Sequence, residues 1–100
     1  MEYQLKDDTL IIVMDTDLDH HNATEVKDKA DYYIYGGQAK NVIFDFENTN
    51  FMDSSGIGVV MGRHRLVKPL GGVVKVRNIK SNVDRIFLIS GLYKIIEKEK

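Results

Sequence analysis

Cysteine is absent from the chain, and proline occurs once. Without cysteine there is no disulfide, no thiolate metal site, no iron–sulfur cluster and no cysteine nucleophile. That absence suits a reducing compartment. No apolar run approaches the roughly 18–20 residues that span a bilayer. The opening Met1-Glu2-Tyr3-Gln4-Leu5-Lys6-Asp7-Asp8 is acidic and lacks the apolar stretch of a secretory signal. These features predict a cytoplasmic protein without a membrane partner. An excess of one charge is missing too. Lys and Arg number 14 and Asp and Glu 15, for a formal net charge of -1. Such a surface has no field strong enough to hold a polyanion, so nucleic acid is not the expected partner.

What is present is the balance of a folded domain: 100 residues, 43% hydrophobic and 29% charged. No internal repeat or low-complexity segment divides it, so a single domain over 1–100 is expected. Residues 3–6 read as a short strand and Asp7-Asp8 as a turn. Thr9 to Met14 is β-branched and almost wholly apolar, a buried strand that pairs with the first as a hairpin. Asp19 is placed to cap a helix in which Ala23, Val26, Ala30 and Tyr33 recur on one side, and Gly36-Gly37 ends it. Asn41 to Phe46 is a second buried strand, and 47–54 a loop. A helix from Ser55 to about Lys68 carries Ile57, Val60, Met61 and Val67 on its apolar side. Pro69 and Gly71-Gly72 stop it. Val73 to Val76 is a third buried strand. Ser81 is placed to cap a further helix with Val83, Ile86 and Phe87, ended by Ser90-Gly91. Leu92 to Ile96 is helix or strand, before a charged tail. Strands alternating with helices predict an α/β fold with a mixed, mostly parallel sheet.

The densest chemical signal is Phe51-Met52-Asp53-Ser54-Ser55-Gly56-Ile57-Gly58, where a loop after a buried strand becomes a helix. In α/β sheets that end of the strands is the usual place for sites. Negative charge there meets free backbone N–H groups and the positive end of the helix dipole. A phosphate on such a serine is therefore tolerated by the fold and can serve as a mark read by a partner. Asp-Ser-Ser is equally an ordinary helix cap. Spacing alone fits a cap, an exposed functional serine, or one of each.

Other chemistry finds less support. The nucleophile elbow Gly-x-Ser-x-Gly is absent, because Met52 and Asp53 stand two residues before Ser54 and Ser55. His64 lies further along the same helix, pointing away from a triad. Gly56, Gly58 and Gly62 do not have the dinucleotide spacing. Gly58 and Gly62, four apart, instead allow close approach of the helix to the sheet or a partner. Asp15-x-Asp17-x-Asp19 begins like a calcium loop, but His20 and Val26 stand where glycine and glutamate are needed. His20 and His21 are adjacent and cannot both face one metal from a helix, so no metal or cofactor is expected. Arg63, Arg65 and Lys68 read as a small solvated or partner-facing basic cluster.

The run Phe51-Met52-Asp53-Ser54-Ser55-Gly56-Ile57-Gly58-Val59-Val60-Met61-Gly62-Arg63 resembles the signature of anti-sigma factor antagonists of the STAS superfamily. Leu18-Asp19-His20-His21 resembles the opening of that family's first helix. Arg85-Ile86-Phe87 and Ser90-Gly91-Leu92-Tyr93-Lys94-Ile95-Ile96 resemble its C-terminal part. Thr16 and Asp17 depart from it, standing where the family's opening carries glycine and glutamate. The Met-Asp-Ser-Ser-Gly run followed by Gly-Arg most resembles the sporulation branch, whose members act on the anti-sigma-F factor. The stress-response branch is the alternative, and a small-ligand-binding STAS module without a phosphoswitch is a further one.

The resemblance implies a single STAS-like domain with a sheet of about four to five strands and about four α-helices. It implies a regulator rather than an enzyme. Its unphosphorylated form would bind an anti-sigma factor that is also a serine kinase, releasing the sigma factor. Phosphorylation of Ser55 would end that binding, and a PP2C-type serine phosphatase would reset it. The contact face would include Asp19, His20, His21, Asp53, Ser54, Gly56, Ile57, Gly58 and Met61. A hydrolase or phosphotransferase using Ser54 or Ser55 as nucleophile is the rival, and it would turn over without a partner.

Overall fold

A computed structural model describes residues 1–99. Lys100, the end of the expected charged tail, lies outside the described residues. Strands β1 (Glu2–Lys6) and β2 (Thr9–Val13) form the expected antiparallel hairpin. Asp7 in its turn takes φ 57°, a left-handed conformation that aspartate tolerates because its short side chain bonds locally. Then follow α1 (Ala23–Tyr35), β3 (Asn41–Asp45), α2 (Ser54–Val67), β4 (Val74–Arg77), α3 (Ser81–Ser90) and β5 (Glu97–Lys98). The sheet order is β1-β2-β3-β4-β5, with β2 through β5 mutually parallel.

Among the described residues there are three α-helices where about four were expected. The remaining helical pieces are single 3-10 turns at Lys68–Leu70 and Leu92–Lys94. The first continues α2 and ends at Gly71, and the second follows Gly91. Both glycines take φ 79°, which breaks a right-handed helix. The apolar segment Leu92 to Ile96 thus holds a single turn and no strand, and the two-residue edge strand β5 follows it in the charged tail.

Register builds the core. Leu10, Val42 and Val74 are aligned across three strands, and Ile12, Phe44 and Val76 form the next row. All six are at most 1% exposed. Val26, Ala30 and Ile34 of α1, Val59, Val60 and Val67 of α2, and Val83 and Phe87 of α3 close over these rows. Phe44, Phe46, Phe87 and Tyr93 continue the core as a chain of touching rings. On α1 the sealed position is Ile34 rather than Tyr33, which is half-buried.

Helix starts differ from the sequence reading in three places. Asn22, not Asp19, occupies the cap position of α1. The Asp19 carbonyl accepts from the N–H groups of Asn22 and Ala23, closing a turn before the helix begins. Helix α2 starts at Ser54 with Asp53 as its cap. Lys80 precedes α3, and Ser81 is its first residue without a side-chain cap bond.

Candidate functional site

Because β2 and β3 are parallel neighbours, the connections leaving them emerge side by side at one end of the sheet. Residues 14–22 lead into α1 and 46–53 into α2. The two are strapped together. Leu18 and Met52 form a parallel bridge. The Leu18 N–H donates to the Phe51 carbonyl at 3.3 Å, and the Asp53 N–H to the Leu18 carbonyl at 3.4 Å. Asp17 Oδ1 accepts from the N–H groups of Asn50 and Phe51 at 2.8 and 3.0 Å. Buried Thr49 donates its hydroxyl to the Thr16 carbonyl at 2.8 Å. Thr16 and Asp17, the two departures from the family's opening, therefore hold the second loop in place.

Asp53 is the centre of this arrangement. Its Oδ1 accepts from the N–H groups of Ser55 and Gly56 at 2.8 and 3.2 Å, satisfying donors that the first helical turn leaves free. Its Oδ2 accepts from the His20 N–H at 3.2 Å, with His20 Nδ1 at 3.6 Å. One carboxylate thus caps α2 and fixes the turn before α1. Partial burial disfavours its charge, but the Gly56, His20 and Ser55 donors outweigh this and lower its pKa below the usual 3.8. Gly56 is needed for the close approach. A Cβ there would lie 2.5 Å from both the Leu18 carbonyl oxygen and Met52 Cγ.

The cap has a testable consequence in acid. A carboxylate whose folded pKa is depressed stabilises the fold above its unfolded pKa, and that contribution is lost as pH falls through the folded value. Asp84, held down by Lys98 and Tyr93, acts in the same direction. The melting temperature should fall below about pH 4. Asp53→Ala should lower it by about 5 °C at pH 7 and make its acid decline shallower. Thermal melts from pH 3 to 7 on both proteins check this; parallel curves would remove Asp53 from the account.

The expected contact residues fall into groups. Asp19 is half-buried, and its Oδ1 accepts from the His21 N–H at 2.9 Å. His20 and His21 are exposed, with ring centroids 4.0 Å apart. Ser54 is exposed and Ser55 half-buried. Asp53 supplies the side-chain cap, so the serines are not the capping groups. With about 100° per helical residue, Ser55, Gly58 and Gly62 lie within about 60° of one another. Ile57 and Met61 lie on another face of α2, where they pack as half-buried residues against the core. No three His, Asp or Glu side chains among the described residues are grouped to hold a metal ion.

Two sequence expectations change here. Arg63 is no solvated residue of a basic cluster. It is 5% exposed, with Nε 3.0 Å from Asp31 Oδ1 of α1. Nor do Gly58 and Gly62 bring α2 close to the sheet, since a Cβ at either would meet nothing within 4 Å. The residues missed from sequence are the straps Asp17 and Thr49, and the buried Arg63.

A family model described as STAS domain matches residues 1–100. The anti-sigma F factor antagonist of Paenibacillus polymyxa is 37% identical over 87 residues, covering 87% of this chain and 74% of the relative. That of Lysinibacillus sphaericus is 33% identical over 95 residues, covering 92% and 81%. Among solved structures, the anti-sigma factor antagonist SpoIIAA in its unphosphorylated form is 27% identical with a TM-score of 0.78, covering 99% of this chain and 88% of that one. The Bacillus SpoIIAA in its phosphorylated form is 30% identical with a TM-score of 0.76, covering 99% and 92%.

Proposed function

Because the chain belongs to the STAS domain family, we propose that it is an anti-sigma factor antagonist that works by switching partners. Its unphosphorylated form binds an anti-sigma factor serine kinase in the cytoplasm and thereby frees a sigma factor. The two relatives named for anti-sigma F support sigma F, and with it sporulation, as the pathway. The kinase phosphorylates Ser55, the partner is released, and a PP2C-type phosphatase restores the starting form. The chain is substrate and ligand in this cycle, not an enzyme.

The observation that carries the reading is the Asp53 carboxylate, bound at once to the Ser55, Gly56 and His20 N–H groups. It places Ser55 where the turn at Asp19–His21 meets the start of α2. A partner resting on this junction touches Asp19, His20, His21, Asp53, Ser54 and Gly58, with Ile57 and Met61 on the flank of α2; Gly56, expected in the contact, is buried and shapes the turn from beneath. Phosphorylation adds roughly -1.5 to -2 charges at the centre of that contact. The helix start accepts this charge, while a closed interface must desolvate it without a partner. The switch then needs no change of fold.

Intact-mass spectrometry after incubation with the anti-sigma factor kinase of the same organism and Mg-ATP tests the assignment. One added phosphate, located to Ser55 by fragmentation and lost in Ser55→Ala, is expected. A phosphate on Ser54, the more exposed of the two, would move the switch by one residue. No added mass with a demonstrably active kinase would leave ligand binding without phosphorylation as the better reading.

A further inference from the structure

Helix α2 contains an oddity that the fold itself does not use. Gly58 and Gly62 sit in its interior, where glycine is less favourable than alanine because it loses more backbone freedom. Neither is forced by space, since a Cβ at either position would meet nothing within 4 Å. Neither has a positive φ. The chain thus carries two unfavourable residues for which no neighbour within it supplies a reason.

What they create is a groove of about 360 Å³ between α1 and α2, lined by Thr24, Lys27, Ser55, Gly58, Gly62 and Arg63. The lining contains two cations, Lys27 and Arg63; behind them Asp31 faces both, with Lys27 Nζ 3.4 Å from Asp31 Oδ2 and 3.6 Å from Asp28 Oδ1. Arg63 supplies the second, independent observation. It is 95% buried, Nη1 has no hydrogen-bond partner, and Nε faces Asp31 without hydrogen-bond alignment. A buried guanidinium with an unanswered donor is costly, and an acceptor from outside relieves it. Gly58, on the same face as Ser55, makes the groove continuous with the junction where phosphorylation is proposed.

We propose that the α1–α2 groove receives an acidic side chain of the anti-sigma factor kinase, which packs over Gly58 and Gly62 and is read by Arg63 and Lys27. This rests on the partner-switching reading above and gives it a second anchor. Ser55 and Arg63 are eight residues apart, about 12 Å along the helix axis. A phosphate on Ser55 lies at one end of the groove and adds negative charge where the partner's carboxylate must enter. The expelling charge and the attracting charges thus occupy one channel.

The glycines make the test sharp, because the same substitution should move stability and binding in opposite directions. Gly58→Ala and Gly62→Ala should each raise the melting temperature by about 4 °C. Each should also weaken kinase binding, measured by calorimetry with Mg-ADP, about tenfold, and Gly62→Leu by more. Lys27→Gln should weaken binding and flatten its dependence on NaCl between 50 and 500 mM, because a screened attraction has been removed. Arg63→Lys, which keeps the charge beside Asp31 but loses the planar fork, should weaken binding while remaining folded. Wild-type affinity in both alanine variants would overturn the groove as a contact. Weakened glycine variants with an unchanged Lys27→Gln salt dependence would overturn its acidic occupant. No binding by the wild-type protein itself would instead reject the partner-switching reading, so the two failures are distinguishable.

Discussion

Ser55→Asp is expected to weaken binding of the anti-sigma factor kinase at least about a hundredfold, with little change in melting temperature. The two halves of this expectation have different causes. In the free protein the new carboxylate sits in the partly exposed first turn of α2, where the positive end of the helix offsets its repulsion from Asp53, whose Oδ1 already holds the Ser55 and Gly56 N–H groups. The fold therefore loses little, and Asp53 continues to cap the helix through Ser55 and Gly56 N–H donors that are backbone groups untouched by the substitution. In the proposed complex the same carboxylate is shut away from water, and the cations of its groove, Lys27 and Arg63, are taken up by Asp31 and by the partner's acidic side chain. A buried uncompensated charge costs several kcal/mol, and about 2.8 kcal/mol already corresponds to a hundredfold in affinity. Phosphoserine carries more charge than aspartate, so the phosphorylated protein should bind more weakly still. Ser55→Ala should bind like the unmodified protein while accepting no phosphate. Calorimetric titrations of the kinase with all four forms, beside thermal melts, decide the matter. Equal affinity of Ser55→Asp and wild type would sink the electrostatic switch. A melting temperature lowered by more than about 10 °C would show that the substitution acts through the fold instead.

Much of this was legible in residue order, and the limits are instructive. The strands were readable because Leu-Ile-Ile-Val and Val-Ile-Phe are apolar runs rich in β-branched and aromatic residues, set between polar segments. The helix stops were readable because Gly71 and Gly91 must take a left-handed conformation where the helix ends. The serine turn stood out as Asp-Ser-Ser-Gly. What resisted was everything that depends on two distant segments meeting. Asp19 has the chemistry of a cap, yet its carbonyl and carboxylate are spent on a turn whose position is fixed by Asp53, 34 residues later. Asp17 reads as part of a failed calcium loop until its two bonds to the Asn50 and Phe51 N–H groups appear. Arg63 reads as a surface cation because its partner, Asp31, is on another helix. Local propensity carries no information about such pairings. Neighbouring parallel strands bring the loops together, and side-chain hydrogen bonds then choose among locally similar conformations. The open space over Gly58 and Gly62 was invisible for the same reason, since a Gly-x-x-x-Gly spacing fits a tightly packed face as well as an empty one.

Phe46→Ala should show the opposite pattern to Ser55→Asp, with stability lost and the switch retained. Phe46 is fully buried. Its ring stacks on Phe44 with centroids 5.8 Å apart and meets Phe87 edge-on at 6.0 Å. It also begins the connection that carries Asp53, with its N–H donating to the Arg77 carbonyl and its carbonyl accepting from the Thr49 N–H, each at 3.0 Å. Truncation removes the ring but not these backbone bonds. The transfer and cavity terms for a buried phenylalanine amount to about 3–5 kcal/mol. A domain of this size has about 5–15 kcal/mol in all, so the melting temperature should fall by about 12 °C or more, perceptible at once by circular dichroism. Phe46→Leu fills most of the space and should recover over half of the loss. At 10 °C, where the alanine variant is still mainly folded, kinase affinity and phosphorylation of Ser55 should stay within a few-fold of wild type, because Asp53 and the straps at Asp17 and Leu18 remain bonded. A melting temperature lowered by less than about 5 °C would mean that the aromatic chain relaxes into the gap and that β3 is held chiefly by its strand neighbours. Normal stability of Ser55→Asp with lost binding, beside lost stability of Phe46→Ala with retained binding, would separate the surface that makes the switch from the core that positions it.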